Sequence, residues 1–215
     1  MHVFEWLAAV AAGVAGMVVT FRLLADADLL PPKGIRSVRG ANIGALTLLL
    51  VLIALAPTGT PQFGAANLAA AAVALVTAPL VLIDRRDQRL PNPITYSLVA
   101  IALIFGAEAA LVTGEWAGFG FALIWGAIPF ALFFVMVLAS RGGVGMGDAK
   151  LAAGLGLTAA LTSGRLTLSS MATGFLIGGV FALVKLLSKQ ANRKTQIPFG
   201  PFLLAGFWVA YLLFR

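Results

Sequence analysis

Long apolar stretches constrain this chain more than any other feature. Runs near residues 6–24, 41–56, 67–83, 94–113, 119–139, 148–161, 166–187 and 198–214 are separated by short segments rich in glycine, proline and charge. A helix needs about 20 predominantly apolar residues to cross the hydrocarbon core of a bilayer, so the 215 residues accommodate about eight crossings with short connections. In lipid, only helices and closed barrels satisfy their own backbone groups. Runs this long and uniform lack the alternation of barrel strands. The expected fold is therefore all-α, a polytopic transmembrane helical bundle of about eight spans. Residues 1–215 form one integral membrane domain, with two N-terminal helices in 1–66 ahead of a six-helix core in 67–215. The sixth run is short for a crossing and is expected to tilt, to pack behind other helices or to merge with its neighbour, which would make seven spans. Only 11% of the residues are charged, against roughly 25% in a soluble domain. No room remains for a separate soluble domain.

Charge distribution sets the topology. The net charge is +7, but the basic residues fall in clusters between apolar runs rather than along one face, which speaks against nucleic acid as a partner. With eight spans, the segments 22–40, 84–92, 140–150 and 185–197 share one side of the membrane and hold thirteen of the fifteen Lys and Arg residues. Arg165 and Arg215 fall on the other side. The positive-inside rule puts the basic segments in the cytoplasm and both termini outside it. Glu5, rather than a basic residue, precedes the first run, so that run reads as a retained helix and not as a secretory signal.

Several chemistries lack their residues. There is no cysteine, hence no disulfide, thiol nucleophile or Cys-based zinc site, and the single histidine, His2, stands at the start of the chain. A Ser-His-Asp triad or a multi-histidine metal centre would have to be built around it. The eight acids are more informative. Glu5 and Glu115 lie at outer ends of spans, and Asp26 and Asp28 in a loop. Glu108, within about two turns of the outer boundary at Gly114, is expected to line a polar crevice near that surface.

Asp84, Asp87 and Asp148 remain, all at cytoplasmic helix ends. Asp84 closes the third run in LVLIDRRDQRLPN, and Asp148 opens the sixth in GGVGMGDAKLAAG. Two carboxylates held close cannot easily both ionise, so a pair can share one proton. The ionised member activates water while the protonated one hydrogen-bonds a scissile carbonyl, which requires no metal or organic cofactor. Position alone leaves other roles open. Asp148 equally fits an N-cap, Asp84 a surface ion pair with Arg85, Arg86 or Arg89, and Gly142, Gly143, Gly145 and Gly147 a simple turn. A small polytopic proton-coupled transporter using intramembrane acids is the alternative reading, although its site is expected near the midplane rather than at one face. Pro79 and Pro129 fall inside spans, where they can kink helices and open a crevice for water or peptide, or equally mark ordinary membrane-helix irregularity. Ala65 to Ala74 is expected to form a close-packing helix surface.

The sequence Gly145-Met146-Gly147-Asp148 resembles the GxGD signature of the type IV prepilin peptidases, the preflagellin peptidases and, more distantly, presenilin. Three further features occur in the order of the prepilin peptidase family. Asp84 ends a helix and is followed by a basic stretch and Pro91-Asn92; Asp148 continues into Ala149-Lys150-Leu151 and a small-residue helix; Ile197-Pro198-Phe199-Gly200-Pro201-Phe202 is similar to the family's PFGP segment. The resemblance covers roughly residues 67–214. It implies an intramembrane aspartic endopeptidase of a prokaryotic cytoplasmic membrane. Its partners would be pilin-like precursors carrying a basic leader and a hydrophobic segment, cleaved at the cytoplasmic face. Asp84 and Asp148 would be the catalytic dyad, with Gly145, Gly147, Lys150, Pro91 and Asn92 shaping the site. Asp87 is the rival to Asp84, but the spacing to Pro91-Asn92 favours Asp84. Bifunctional members carry a larger cysteine-containing insert between their first two helices and also N-methylate the trimmed pilin. Residues 22–40 are short and cysteine-free. The resemblance therefore does not carry methyltransferase activity over, and the chain looks like the minimal peptidases of tight-adherence or Flp-type pili.

Overall fold

Each of the six apolar runs from residue 67 onward forms an α-helix in the computed structural model, which describes residues 47, 51, 64–88, 90–139, 144–188 and 199–214. In chain order these are α1 (Gly64–Asp87), α2 (Asn92–Thr113), α3 (Trp116–Ala139), α4 (Met146–Ala160), α5 (Gly164–Leu187) and α6 (Gly200–Phe214). The expected runs at 6–24 and 41–56, the loop at 22–40, both termini, and Arg89, Arg141, Gly142 and Gly143 lie outside the described residues. Thr47 and Val51 are exceptions: both are helical, Thr47 is buried, and Val51 packs against the main core. The side chains of Arg85, Arg86 and Asp87 also lie outside the described set.

The protein is a helical, multi-pass membrane protein. Four segments, Gly64–Asp84, Asn92–Thr113, Trp116–Ala139 and Gly164–Lys185, are long and apolar enough to cross a bilayer. The helices α4 and α6 have 15 residues each, which is about 22 Å of helix against a hydrocarbon core of roughly 30 Å.

Helix ends follow backbone chemistry rather than the ends of apolar runs. The third apolar run stops at Ile83, yet α1 continues for one more turn, because backbone hydrogen bonding is indifferent to whether side chains are polar. Gln88 then takes a left-handed conformation (φ 51°), its N–H donating to the Asp84 carbonyl at 3.0 Å, and Pro91 follows as the N-cap of α2. At its other end α2 stops at Gly114, where φ is 77° and the amide donates to the Ala110 carbonyl at 2.8 Å, a left-handed cap that suits glycine. Ser163 caps α5 by accepting the Leu166 amide at 3.1 Å.

The short helix α4 packs in the middle of the bundle and touches each of the other five described helices. This is the packing-behind-neighbours outcome for the short sixth run. Its small residues permit it. A Cβ at Gly156 would come 2.5 Å from Pro129 Cγ, so α3 and α4 meet at a distance that only glycine allows. Pro129 lies within α3, and its ring fills that contact. The alanine-rich stretch behaves as expected too: Ala66, Ala69, Ala70, Ala71 and Ala74 are buried on α1. The outer faces of α3 and α5 instead expose Phe121, Ile124, Val135, Leu138, Leu176 and Leu183, as surfaces turned towards lipid do.

Candidate active site

Asp84 stands in the last turn of α1, where side chains on the inner face of the helix enter the bundle. Its exposure is only 3%, so it is not the surface ion-pairing residue that its arginine neighbours suggested. The carboxylate finds a partner 116 positions away: the Gly200 amide donates to Asp84 Oδ2 at 3.1 Å. Gly200 opens α6, and the first amides of a helix have no partner within it. They also form the positive end of its dipole, which favours an anion there. A Cβ at Gly200 would lie 2.8 Å from the same Oδ2, so this contact requires glycine.

Polar and aromatic contacts hold α6 in register on α1. Tyr211 donates its hydroxyl to Asn67 Oδ1 at 2.9 Å, and Trp208 Nε1 donates to Thr77 Oγ1 at 2.9 Å. Between helices in a bilayer such bonds contribute only about 0.6 kcal/mol each. Their value lies in fixing which residues face each other. Next to Gly200, the Phe199 ring packs against Phe133 and Phe175 at centroid distances of 5.8 and 5.6 Å. Aromatic pairs contribute about 0.5–1.5 kcal/mol beyond area burial. The entry of α6 is thereby anchored to α3 and α5.

Asp148 is held locally. The N-cap of α4 is Gly145, and Asp148 occupies the third helical position, one turn further in than an N-cap. Its Oδ2 accepts the Gly145 amide at 3.3 Å. That is one half of a capping box; glycine has no side chain with which to make the other. Asp148 is buried, 9% exposed.

The fold brings these two acids together. Their carboxylates lie near enough to repel each other electrostatically. Leu90, buried in the α1–α2 connection, packs against the first turns of both α4 and α6. A Cβ at Gly147 would sit 3.0 Å from Leu90 Cβ, and one at Gly200 would sit 3.5 Å from Leu90 Cδ1. Pro91 supplies the carbonyl that accepts the Ile94 and Thr95 amides at 3.2 Å each, starting α2 beside the site. On its exposed side Asn92 Oδ1 accepts a hydrogen bond from Lys150 Nζ at 2.8 Å. That ammonium also lies 4.7 Å from the centre of the Tyr96 ring. Lys150 thus ties the first turn of α4 to the first turn of α2.

The residues singled out from the sequence therefore converge: Asp84, Asp148, Gly145, Gly147, Lys150, Pro91 and Asn92 all border one end of the bundle. The backbone of Asp87 closes α1, while its side chain is outside the described residues. Glu108 is exposed on the same face of α2 as Ile104, Leu111 and Val112. Three contributors carried no assigned role in the sequence. Gly200 lay within the PFGP segment, but nothing local marks its amide as the partner of a distant carboxylate. Leu90 shows only as a lone apolar residue in a polar connection, and Tyr96 as an ordinary aromatic of a span.

Two buried like charges that repel each other oppose simultaneous ionisation, and each oxygen already accepting an amide leaves its carboxylate a second oxygen for solvent or substrate. Such a pair suits proton transfer.

Comparison with known proteins shows the family. The type IV leader peptidase family matches residues 69–184. A prepilin leader peptidase/N-methyltransferase of Aeromonas salmonicida is 31% identical over 183 residues, covering 82% of this chain and 58% of that protein. The proteins of the same name from Pseudomonas aeruginosa and Escherichia coli are 33% and 32% identical, covering 61% and 59% of this chain and 44% and 55% of their own lengths. The chain thus spans about half the length of the curated relatives it matches. No solved structure matches it.

Proposed function

Because the chain belongs to the type IV leader peptidase family, we propose that it is an intramembrane aspartic endopeptidase that removes the leader of pilin-like precursors at the cytoplasmic face of the membrane. The observation that carries this reading is the meeting of two buried acids, Asp84 from α1 and Asp148 from α4, each anchored to a backbone amide at the start of a helix and near enough to repel the other.

The chemistry follows from a pair holding one proton. The ionised carboxylate takes a proton from water as the water oxygen bonds to the scissile carbonyl carbon. The other aspartate, protonated, donates a hydrogen bond to the carbonyl oxygen as negative charge develops there. When the tetrahedral intermediate collapses, the C–N bond breaks and a proton passes to the leaving amine nitrogen. The leader departs as a carboxylic acid, the mature segment as an amine, and the pair again holds one proton.

In this arrangement the precursor's hydrophobic segment enters laterally among the helices and its basic leader stays on the cytoplasmic side. The basic segments 84–92 and 140–150 flank the dyad, which is the support for the cytoplasmic assignment. The eight-helix topology with both termini outside belongs to the same proposal.

The test is co-expression with a pilin-like precursor, comparing the parent with Asp84→Asn and Asp148→Asn at equal accumulation in the membrane. Each variant is expected to lose roughly 10²–10⁴-fold in processing rate. Processing at the parental rate by either one removes that residue from the dyad.

A further inference from the structure

On the peptidase reading above, the precursor's hydrophobic segment must pass from lipid to two acids buried at one end of the bundle, and the seams between helices differ in what holds them. Between α5 and α6 the backbones touch, since a Cβ at Gly206 would strike the Gly174 amide. A Cβ at Gly154 of α4 would come 2.9 Å from Leu98 Cβ of α2, and Lys150 bonds Asn92 where this seam reaches the dyad. α6 is bonded to α1 through Trp208 and Tyr211.

The seam between α3 and α5 changes character along its length. At the end remote from the dyad it is tight: a Cβ at Gly164 of α5 would come 2.6 Å from the Trp125 ring of α3. There α3 also meets α4 closely, with a Cβ at Gly126 falling 2.8 Å from Leu157 Cα. Pro129 follows. Without an N–H it cannot bond the carbonyl one turn back, so α3 bends most easily at this point. From Phe130 to Ala139, Phe133 is the one buried residue. Its ring stacks on Phe175 of α5, with centroids 5.3 Å apart and planes at 16°. One turn further along α5 nothing crowds the helix: a Cβ at Gly179 would meet no atom within 4 Å.

This loosely held stretch lies beside the dyad. Phe133 and Phe175 both pack on Phe199, and Phe199 directly precedes Gly200, whose amide holds Asp84. A group that takes the place of the stacked rings therefore packs on the neighbour of that amide. We propose that the precursor's hydrophobic segment enters between α5 and the half of α3 that follows Pro129, parting the Phe133–Phe175 stack and running against Leu132. Leu132 marks this side of α3, since it follows Trp125 by seven residues, about two helical turns. Phe130 marks the other side. It follows Phe119, whose ring covers Gly106 of α2, by eleven residues, about three turns. The two are 42% and 38% exposed, so they form a matched pair.

The experiment uses the full chain in lipid nanodiscs with a pilin-like precursor. The photoreactive residue p-benzoylphenylalanine replaces Leu132, Phe130 or exposed Ile104 of α2 in the Asp148→Asn background, which retains the precursor uncleaved. Illumination should join the precursor's hydrophobic segment to the chain at Leu132 and not at Phe130 or Ile104. In the catalytically intact chain, Leu132→Trp adds bulk to the seam and should raise KM about fivefold at unchanged kcat, while Phe130→Trp should stay within about twofold of the parent. No crosslink at Leu132, or one at Phe130 or Ile104 as strong, overturns the route. A parental KM in folded Leu132→Trp overturns it too, and if that variant does not fold the crosslinks decide alone. A parent that cleaves no precursor overturns the peptidase reading instead, and the crosslinks still decide where the precursor lies.

Discussion

Asp84 and Asp148 are the same side chain held in opposite ways. Asp148 leans on its own neighbourhood: its amide donor, Gly145, is three residues away and caps the helix that carries it. Asp84 leans on a helix that begins 116 residues later, and its position depends on everything that keeps α6 against α1. A locally held carboxylate tolerates changes elsewhere in the fold, whereas a remotely held one registers any shift between two helices.

Substitutions at the glycines around the two acids sharpen this contrast. Gly200→Ala should have the largest effect, because its Cβ would fall 2.8 Å from Asp84 Oδ2. Relieving the clash moves the carboxylate or the start of α6. A misplacement of order 1 Å at a reacting group costs about 100-fold in rate, and overpacking costs about 1–3 kcal/mol of stability. Precursor cleavage and thermal unfolding of the purified protein measure the two. Parental activity in this variant would mean that the Asp84 contact with α6 is dispensable.

Gly147→Ala comes next. Its Cβ would meet Leu90 Cβ at 3.0 Å, a contact relieved by a shift of Leu90 of a few tenths of an ångström. A fall in cleavage on the order of fivefold is expected, short of what a 1 Å misplacement causes. Lys150→Met removes the bond to Asn92 while keeping most of the stem. An exposed bond of this kind is at the low end of the ~0.5–1.5 kcal/mol range, so activity should change about two- to threefold. The same loss in Asn92→Ala, and no further loss in the double variant, would identify the pair as the cause. Gly145→Ala should do least. Its φ is −83° and its Cβ would stand at an ordinary 3.6 Å from Asp148 Oδ2, so activity within about twofold of the parent is expected. A large loss there would show Asp148 to be as sensitive to its surroundings as Asp84, and the contrast would fail.

Much of this was legible in the residues. Six helices appear where apolar runs predicted them, and the family indicated by Gly145 to Asp148, Asp84 to Asn92 and the PFGP segment is the family that matches. Helix ends were less legible. α1 runs on to Asp87 because polar residues continue a helix as readily as apolar ones until Gln88 and Pro91 end it. An N-cap role fitted Asp148 equally well by sequence, since Gly147 precedes it, but the helix begins two residues earlier, at Met146.

Hydrophobicity told this chain what solvent to live in and roughly where its helices run, since both are properties of segments read along the chain. It was silent about which face of each helix is inside, because lipid and protein interior are nearly alike in polarity. The apolar helix α3 buries only Ala122, Gly126, Pro129 and Phe133, whereas short, glycine-bearing α4 is buried along most of its length. That choice, together with the Gly200 amide that meets Asp84, arises from how closely backbones can approach across the bundle. Such distances exist only once helices far apart in the chain have packed.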